Sequence, residues 1–355
     1  MKIVQVMPEF GLAGAETMCE TLTYELRSLG HEVVVISLYD YHSAITDRME
    51  NAGVRIYYLH KKSGLDLSMI RKIWKVLREI KPDVVHTHLY SAQYAVPASI
   101  LAGVKRRVHT VHNLAKQENG RMARNLNKFF FKFCHLKLVA LSDLVRGSIV
   151  REYKTKVDCI PVVFNGVDLS KCLPKTEYRA TESFKIVHIG RFSQQKNHLG
   201  LLQAFRLFCS KHPESQLWLI GDGEKRAEIQ EWVCENGLTQ NVRFLGLQTS
   251  VYRYLHEADL FTLPSHYEGM PMTLIEAMGT GLPIVATAVG GIPDMLTNEE
   301  NALLTENDPK VLAQAYERLF GNLELRQAYG QGAKQRAIVF SSKNMAKEYQ
   351  ALYQA

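Results

Sequence analysis

Glu268 and Glu276 stand eight positions apart in SHYEGMPMTLIEAMGTGLPIVATAVGGIPDML, residues 265–296, with an almost wholly apolar filling between them. The apolar run DLFTLPS comes just before, and Glu268-Gly269-Met270-Pro271 then opens a helix. Proline suits a first helical turn, whose N–H groups have no intrahelical partner. The free N–H groups between Met270 and Thr273, Met272 among them, then point the same way as the positive end of the helix dipole. That combination makes a phosphate site. Glu276 falls in the second turn of the same helix. Carboxylates only accept hydrogen bonds, and vicinal hydroxyls on a sugar or ribose offer donors in pairs. Two acids around an anion site therefore describe a ligand with hydroxyls on both sides of a phosphate, such as a nucleotide sugar.

Cations of suitable type stand further back. Gly190-Arg191-Phe192 and then Lys196-Asn197 follow the strand-like run FKIVHIG. Departure of a nucleoside diphosphate builds negative charge on its bridging oxygen. A guanidinium, an ammonium and helix N–H groups fixed around that oxygen stabilise the transition state more than the ground state. With Arg191 and Lys196 in that role no metal and no other cofactor is required, and the chain has no Asp-x-Asp to hold a metal. The bland alternative is a pair of surface charges. Gly11-Leu12-Ala13-Gly14-Ala15-Glu16 lies between a strand and a helix, as phosphate loops do, but lacks the full Gly-x-Gly-x-x-Gly spacing; a tight turn is the other reading. His112 ends the run RRVHTVH and is followed by Asn113, and both are candidates to line the site. Ser142 and Asp143, after the next strand, are weaker ones. His86 and His88 share a strand face and could mimic a metal pair, but no third ligand is evident, so packing is the expected role.

These residues need elements to hold them, and the hydrophobic pattern supplies two alternating series. Residues 2–7, 31–38, 54–59, 83–88, 106–112 and 137–142 read as strands, with helices at 16–30, near 67–80 and near 91–102. After a polar, proline-containing connector at 160–183, strands recur at 184–190, 215–223, 242–246, 259–265, 283–291 and 302–306. Helices are expected at 198–212, 225–236 and 251–258, then near 309–338 and 343–353. Such alternation implies parallel sheets with helices on both faces, and ligands at the carboxyl ends of the strands. The expected organisation is an N-terminal Rossmann-like domain over 1–167, a second over 168–338, and a helix in 339–355 returning to the first. With 355 residues, 46% hydrophobic and 22% charged, the chain is long enough for two such cores.

The remaining bulk properties exclude several classes. No apolar run reaches the roughly 18–20 residues of a membrane span. The opening MKIVQVMPEF enters a strand without a secretory h-region and cleavage site. Six scattered cysteines, with no Cys-x-x-Cys, fit reduced thiols rather than a disulfide framework, so a cytoplasmic location is expected. A net charge of +7 suits anionic ligands or an anionic membrane surface and does not argue for nucleic acid.

Taken in order, the Gly11–Glu16 loop, His112 in HTVHN, Asn165-Gly166-Val167-Asp168, Gly190-Arg191-Phe192 with Lys196-Asn197, Gly221-Asp222-Gly223 and the E-x7-E block resemble the retaining glycosyltransferases of family 4 (group 1). The resemblance covers the whole chain. It implies a GT-B fold: α/β, two doubly wound Rossmann-like domains facing across a cleft. It implies that Glu268 contacts the donor sugar, Glu276 the ribose, Arg191 and Lys196 the diphosphate, and His112 the sugar and acceptor. Gly14 would let its loop close on the donor. Gly190, Gly269, Met270, Pro271, Met272 and Thr273 would line the phosphates, and backbone near Gly221–Gly223, Gly246, Leu247 and Gln248 the base. The implied partners are a UDP- or GDP-sugar donor and a glycan or lipid-linked acceptor, in surface-polysaccharide assembly. Retention could use Glu268 as a covalent nucleophile, or a same-face displacement, which the resemblance favours. A nucleotide-sugar 2-epimerase and a non-catalytic nucleotide-sugar-binding scaffold are the alternatives.

The segment RMARNLNKFFFKFCHLK, 121–137, raises a separate question. On a helix, Met122, Leu126, Phe129, Phe130 and Phe133 share a face beside a basic stripe of Arg121, Arg124, Lys128 and Lys132. Either the apolar face packs on the sheet, or the basic residues meet anionic lipid at the inner face of the cell membrane.

Overall fold

The computed structural model describes residues 1–118, 120–178 and 183–355. Residue 119, and residues 179–182 of the expected connector, lie outside the described residues. The chain divides into two compact units, Met1–Gly166 with Ser342–Ala355, and Val167–Ser341.

Among the described residues, the first unit is built on six parallel strands, β1 (Lys2–Met7), β2 (Glu32–Ser37), β3 (Arg55–Tyr58), β4 (Val84–His88), β5 (Arg106–Val111) and β6 (Leu136–Ala140), in the order β3-β2-β1-β4-β5-β6. Its helices are α1 (Gly14–Ser28), α2 (Ala44–Asn51), α3 (Ser68–Ile80), α4 (Ala92–Leu101), α5 (Ala115–Glu118), α6 (Arg121–Phe133) and α7 (Asp143–Tyr153). Strands covered on both faces must be largely apolar on both, which is why β1 and β2 are nearly continuous buried apolar runs. Val4, Val6, Val34 and Ile36 pack on one face against Ile73 and Leu77 of α3 and Tyr94 of α4. Met7 and Val35 pack on the other, with Cys19 of α1.

In the second unit, β7 (Lys185–Ile189), β8 (Gln216–Ile220), β9 (Val242–Gly246), β10 (Leu260–Leu263), β11 (Ile284–Thr287) and β12 (Leu303–Thr305) form a parallel sheet in the order β12-β11-β10-β7-β8-β9. The helices around it are α8 (His198–Cys209), α9 (Arg226–Glu235), α10 (Tyr252–Glu257), α11 (Met272–Thr280), α12 (Ile292–Met295), α13 (Pro309–Phe320) and α14 (Leu323–Ala337). Phe205, Phe208, Tyr316 and Leu319 close its core over Ile186, Leu219 and Leu260. In both sheets the first and fourth strands are neighbours, β1 beside β4 and β7 beside β10. The chain winds outward on either side of that pair, so the loops leaving the two strands diverge and open a crevice at their carboxyl ends.

The structure departs from the sequence reading in several places. The stretch expected to be helical over 309–338 is broken, because Asn322 caps a new helix by accepting from the Leu325 N–H. Pro271 is the N-cap of α11 rather than part of its first turn. The sequence reading has no helix at α2 or α7; Ser43 and Thr46 form a capping box that starts α2.

The last helix, α15 (Ser342–Gln354), belongs to the first unit. It buries Met345, Ala346, Tyr349 and Tyr353, a stripe at helical spacing. The Tyr353 hydroxyl meets His86 Nδ1 at 2.7 Å, and the Tyr349 hydroxyl meets Thr110 Oγ1 at 2.7 Å. Tyr353→Ala should therefore lower stability by about 3–5 kcal/mol, and Tyr353→Phe by only about 1 kcal/mol. Urea denaturation checks both, and a Tyr353→Ala midpoint equal to wild type would show that α15 does not support the sheet.

Candidate active site

The neighbouring strands β7 and β10 decide where the second unit gathers its polar residues. The chain leaves β7 through Gly190 and Arg191 into a short turn at Gln194–Lys196, and leaves β10 through Pro264 and Ser265 toward Glu268. Asn197 ties the two loops. It adopts a left-handed conformation, φ 51°, and its side chain donates to the Pro264 carbonyl at 3.2 Å and accepts from the Gly200 N–H. Lys196 Nζ consequently reaches Glu268 Oε1 at 2.6 Å, with 14% and 5% of the two side chains exposed. Ser265 Oγ donates to the same oxygen at 2.6 Å. Gln195 Nε2 donates to the Tyr267 carbonyl at 2.9 Å and lies 3.4 Å from Glu268 Oε2.

Two glycines make this approach possible. A Cβ on Gly190 would press on the Lys196 stem at 3.1 Å. One on Gly290, at φ 62°, would fall 1.8 Å from the Glu268 carbonyl oxygen. Beside the pair, α11 starts at Met272 with Pro271 as N-cap and no capping side chain, so its first N–H groups are not met from that position. Gly269 accepts from the Gly291 N–H at 3.1 Å, and Met270 is buried.

Glu276, in the second turn of α11, lies apart from that pair. Tyr252 of α10 hydrogen-bonds it, and burial pushes its carboxyl up to about 7, against the smaller downward pulls of Tyr252 and Lys171. Arg191 is not drawn into the cluster. Its side chain is 74% exposed and pairs with Glu224 at 3.2 Å. Gly221 packs on Gly190, where a Cβ would be 2.1 Å from the Gly190 carbonyl oxygen, and accepts the turn with φ 135°. The Gly221 N–H donates to the Gly246 carbonyl at 2.9 Å, and Leu247 next to it is exposed.

His112, Asn113 and Gly14 belong to the first unit. His112 follows β5 directly, and its Nε2 lies 3.0 Å from His88 Nδ1. Burial holds His112 down to about 3, with the charge of His109 acting in the same direction. Asn113 Oδ1 accepts from the Leu114 N–H at 2.8 Å. Gly14 is the first residue of α1, whose N-cap Ala13 is extended and offers no capping side chain. Ser142 caps α7 at the Val145 N–H, and Asp143 pairs with Arg146 at 2.6 Å, so both have helix-start roles. His86 is engaged by Tyr353 and Thr110. Gln195, Ser265 and Tyr252 were not singled out by sequence, and only Gln195 carried a signal, its position next to Lys196.

The α6 helix buries part of its apolar face and leaves part of it exposed. Phe130 is buried and Leu126 packs against the core, but Met122, Phe129 and Phe133 are 60%, 52% and 69% exposed. The basic stripe is divided. Arg124 Nε lies 3.3 Å from Glu152 of α7, and Lys128 donates to the Glu152 carbonyl at 3.4 Å, while Arg121 and Lys132 are exposed.

The family described as Glycosyltransferase Family 4 matches residues 12–171, and the one described as Glycosyl transferases group 1 matches residues 174–336. The UDP-Gal:α-D-GlcNAc-diphosphoundecaprenol α-1,3-galactosyltransferase of Escherichia coli is 29% identical over 260 residues, 68% of this chain and 67% of its own. The N-acetyl-α-D-glucosaminyl L-malate synthase of Bacillus anthracis is 26% identical over 97% of this chain and 93% of its own. The crystal structure of Anabaena HepE in complex with UDP and glucose is similar in fold, with TM-score 0.87 at 18% identity over 100% of both chains.

The raised carboxyl of Glu276 has a measurable consequence. Unfolded, it would lose its proton near 4.5; folded, near 7. Between those values the folded state holds more protons, so this group's contribution to stability falls as pH rises through the window. Glu276→Gln should therefore gain on the order of 1 kcal/mol over wild type at pH 7.5, about 2–4 °C in Tm, and show no gain near pH 4.5. Thermal denaturation across that range checks it; a pH-independent difference between the two proteins would refute it.

Proposed function

The chain belongs to the family 4, group 1 glycosyltransferases, and on that premise we propose that it is a retaining, metal-independent enzyme moving a sugar from a UDP- or GDP-sugar to a glycan or lipid-linked acceptor. The observation that carries the reading is the buried Lys196–Glu268 pair, 2.6 Å apart beside the uncapped start of α11. Lys196 and the α11 N–H groups bind the diphosphate, and Arg191 leaves Glu224 to join them. Glu268, steadied by Ser265 and Gln195, accepts hydrogen bonds from the sugar hydroxyls. Glu276 accepts from the ribose diol, and His112 faces the sugar. The donor named for the Escherichia coli relative, UDP-Gal, supports uridine over guanosine, and its diphosphoundecaprenol acceptor supports a lipid-linked substrate in surface-polysaccharide assembly.

In the transfer step the acceptor oxygen bonds to the anomeric carbon on the face from which the diphosphate departs. The bond from that carbon to the bridging oxygen breaks, and the departing phosphate oxygen takes the acceptor's proton. Lys196 and the α11 N–H groups stabilise the charge gathering on that phosphate. Glu268 forms no covalent bond to the sugar in this scheme. Lys196→Ala and Glu268→Gln should each lower kcat/KM at least about 100-fold, with no sugar adduct on Glu268 and with activity retained in EDTA. UDP should raise Tm more than GDP by mass action. Kinetics, intact-protein mass spectrometry and a thermal-shift titration check these outcomes; a native glycosyl-enzyme would replace the scheme with double displacement.

No helix among the described residues is long and apolar enough to cross a membrane. The enzyme meets its lipid-linked acceptor from the cytoplasmic side, through Met122, Phe129 and Phe133 of α6, with Arg121 and Lys132 toward anionic headgroups. Arg124 and Lys128, turned to Glu152, contribute less. Cosedimentation with phosphatidylglycerol-containing vesicles should fall several-fold in the Phe129→Ser, Phe133→Ser double variant, and to a lesser degree in Arg121→Gln, Lys132→Gln. Binding indifferent to anionic lipid and to both variants would remove the membrane surface as a partner.

A further inference from the structure

The polar face of the first sheet contains a chain of hydrogen bonds whose direction can be worked out from one end. That end is the Cys19 carbonyl in α1, which can only accept. Thr23 Oγ1 donates to it at 2.8 Å, and a hydroxyl has a single proton. The 2.6 Å contact between Thr23 Oγ1 and the Gln5 side chain must therefore be donated by Gln5 Nε2. The same Nε2 lies 3.4 Å from the Cys19 carbonyl, so flipping the amide would set oxygen against oxygen. Gln5 Oε1 consequently points away from α1. It accepts from Cys19 Sγ at 3.4 Å and stands 3.1 Å from His88 Nε2, which must carry a proton.

His88 is fully buried, and desolvation holds it well below its ordinary value, with His86 and His112 adding to the effect. The ring is neutral, one proton is all it has, and its Nδ1 is a bare lone pair. His112 Nε2, 3.0 Å away, must then be the donor. His112 is neutral too, so its own Nδ1 is bare, and that atom has no hydrogen-bond partner among the described residues. His86, held by Tyr353 and Thr110, lies with its ring centroid 4.2 Å from that of His88 and limits how the middle ring can turn.

We propose that Gln5 and His88 are positioning residues that fix His112 as the Nε2–H tautomer, so that His112 Nδ1 accepts a hydrogen bond from a hydroxyl of the bound substrate. A bare ring nitrogen repels phosphate oxygens, which have no proton to give. His112 is thereby committed to the sugar side of a nucleotide sugar and excluded from the diphosphate, a choice made at least 89 residues away in sequence, at Gln5, Cys19 and Thr23. The substrate half of this inference rests on the nucleotide-sugar reading above; the tautomer half does not.

The test is long-range 1H–15N correlation on the full-length protein with 15N-labelled histidine at pH 7.5, the His112 signals being assigned from their loss in His112→Gln. Protonated Nε2 and bare Nδ1 are expected for both His88 and His112. In Gln5→Met, which keeps size but removes the acceptor, the His112 ring should show mixed tautomers and KM for the donor should rise about tenfold. UDP-sugar should move the His112 Nδ1 resonance upfield in the wild type. An Nδ1–H tautomer or an imidazolium at His112 in the free wild-type protein overturns the proposal, whatever Gln5→Met does. A UDP-sugar that raises Tm yet leaves Nδ1 unmoved overturns the hydroxyl contact. If no nucleotide sugar raises Tm, the donor reading and the substrate contact fall together, while the tautomers of the free protein stand or fall by themselves.

Discussion

An ammonium and a carboxylate 2.6 Å apart and almost wholly shielded from water impose demands on everything around them. Removing two charges from water costs several kcal/mol, and their attraction offsets that only if the geometry is good and the remaining lone pairs are met. In the second unit Ser265 meets one, and Gln195 approaches another. The backbone must also come unusually close, which is why Gly190 underlies the Lys196 stem and Gly290 abuts the Glu268 carbonyl. Asn197 binds the two loops to a common position. None of these contacts would exist if β7 and β10 were not neighbours, so the order of strands is the constraint from which the chemistry follows.

The two units answer the same topological situation with opposite electrostatics. At the carboxyl ends of β7 and β10 the second unit keeps a charged pair. At the ends of β1, β4 and β5 the first keeps neutral imidazoles and an amide, and burial depresses His86, His88, His109 and His112 alike. A charge binds by magnitude and is tolerant of direction, whereas a neutral network distinguishes donors from acceptors.

Much of this was legible in the residues. Parallel strands are buried on both faces, so their apolar runs stood out, and Glu268, Lys196 and His112 declared themselves as polar residues at strand ends. What could not be read were contacts set by strand order or by a partner helix. Ser265 and Gln195 reach Glu268 from different loops. Tyr252 finds Glu276 from another helix, and Arg191 is held by Glu224 rather than by its neighbours in sequence. A helical wheel of α6 gave a basic stripe, but it could not show that Glu152 of α7 takes Arg124 and the Lys128 ammonium to one side. Gln5 looked like one more residue of a strand.

The course of the chain has a consequence for biosynthesis. The first unit takes its last helix from residues 342–354, made only after the entire second unit. While the ribosome is still extending the chain, the sheet face bearing His86 and Thr110 has no Tyr349 or Tyr353 to cover it. The polypeptide that begins first is thus finished last, and a nascent chain stalled anywhere before α15 presents a half-closed sheet to chaperones and proteases, however complete the later-made unit already is.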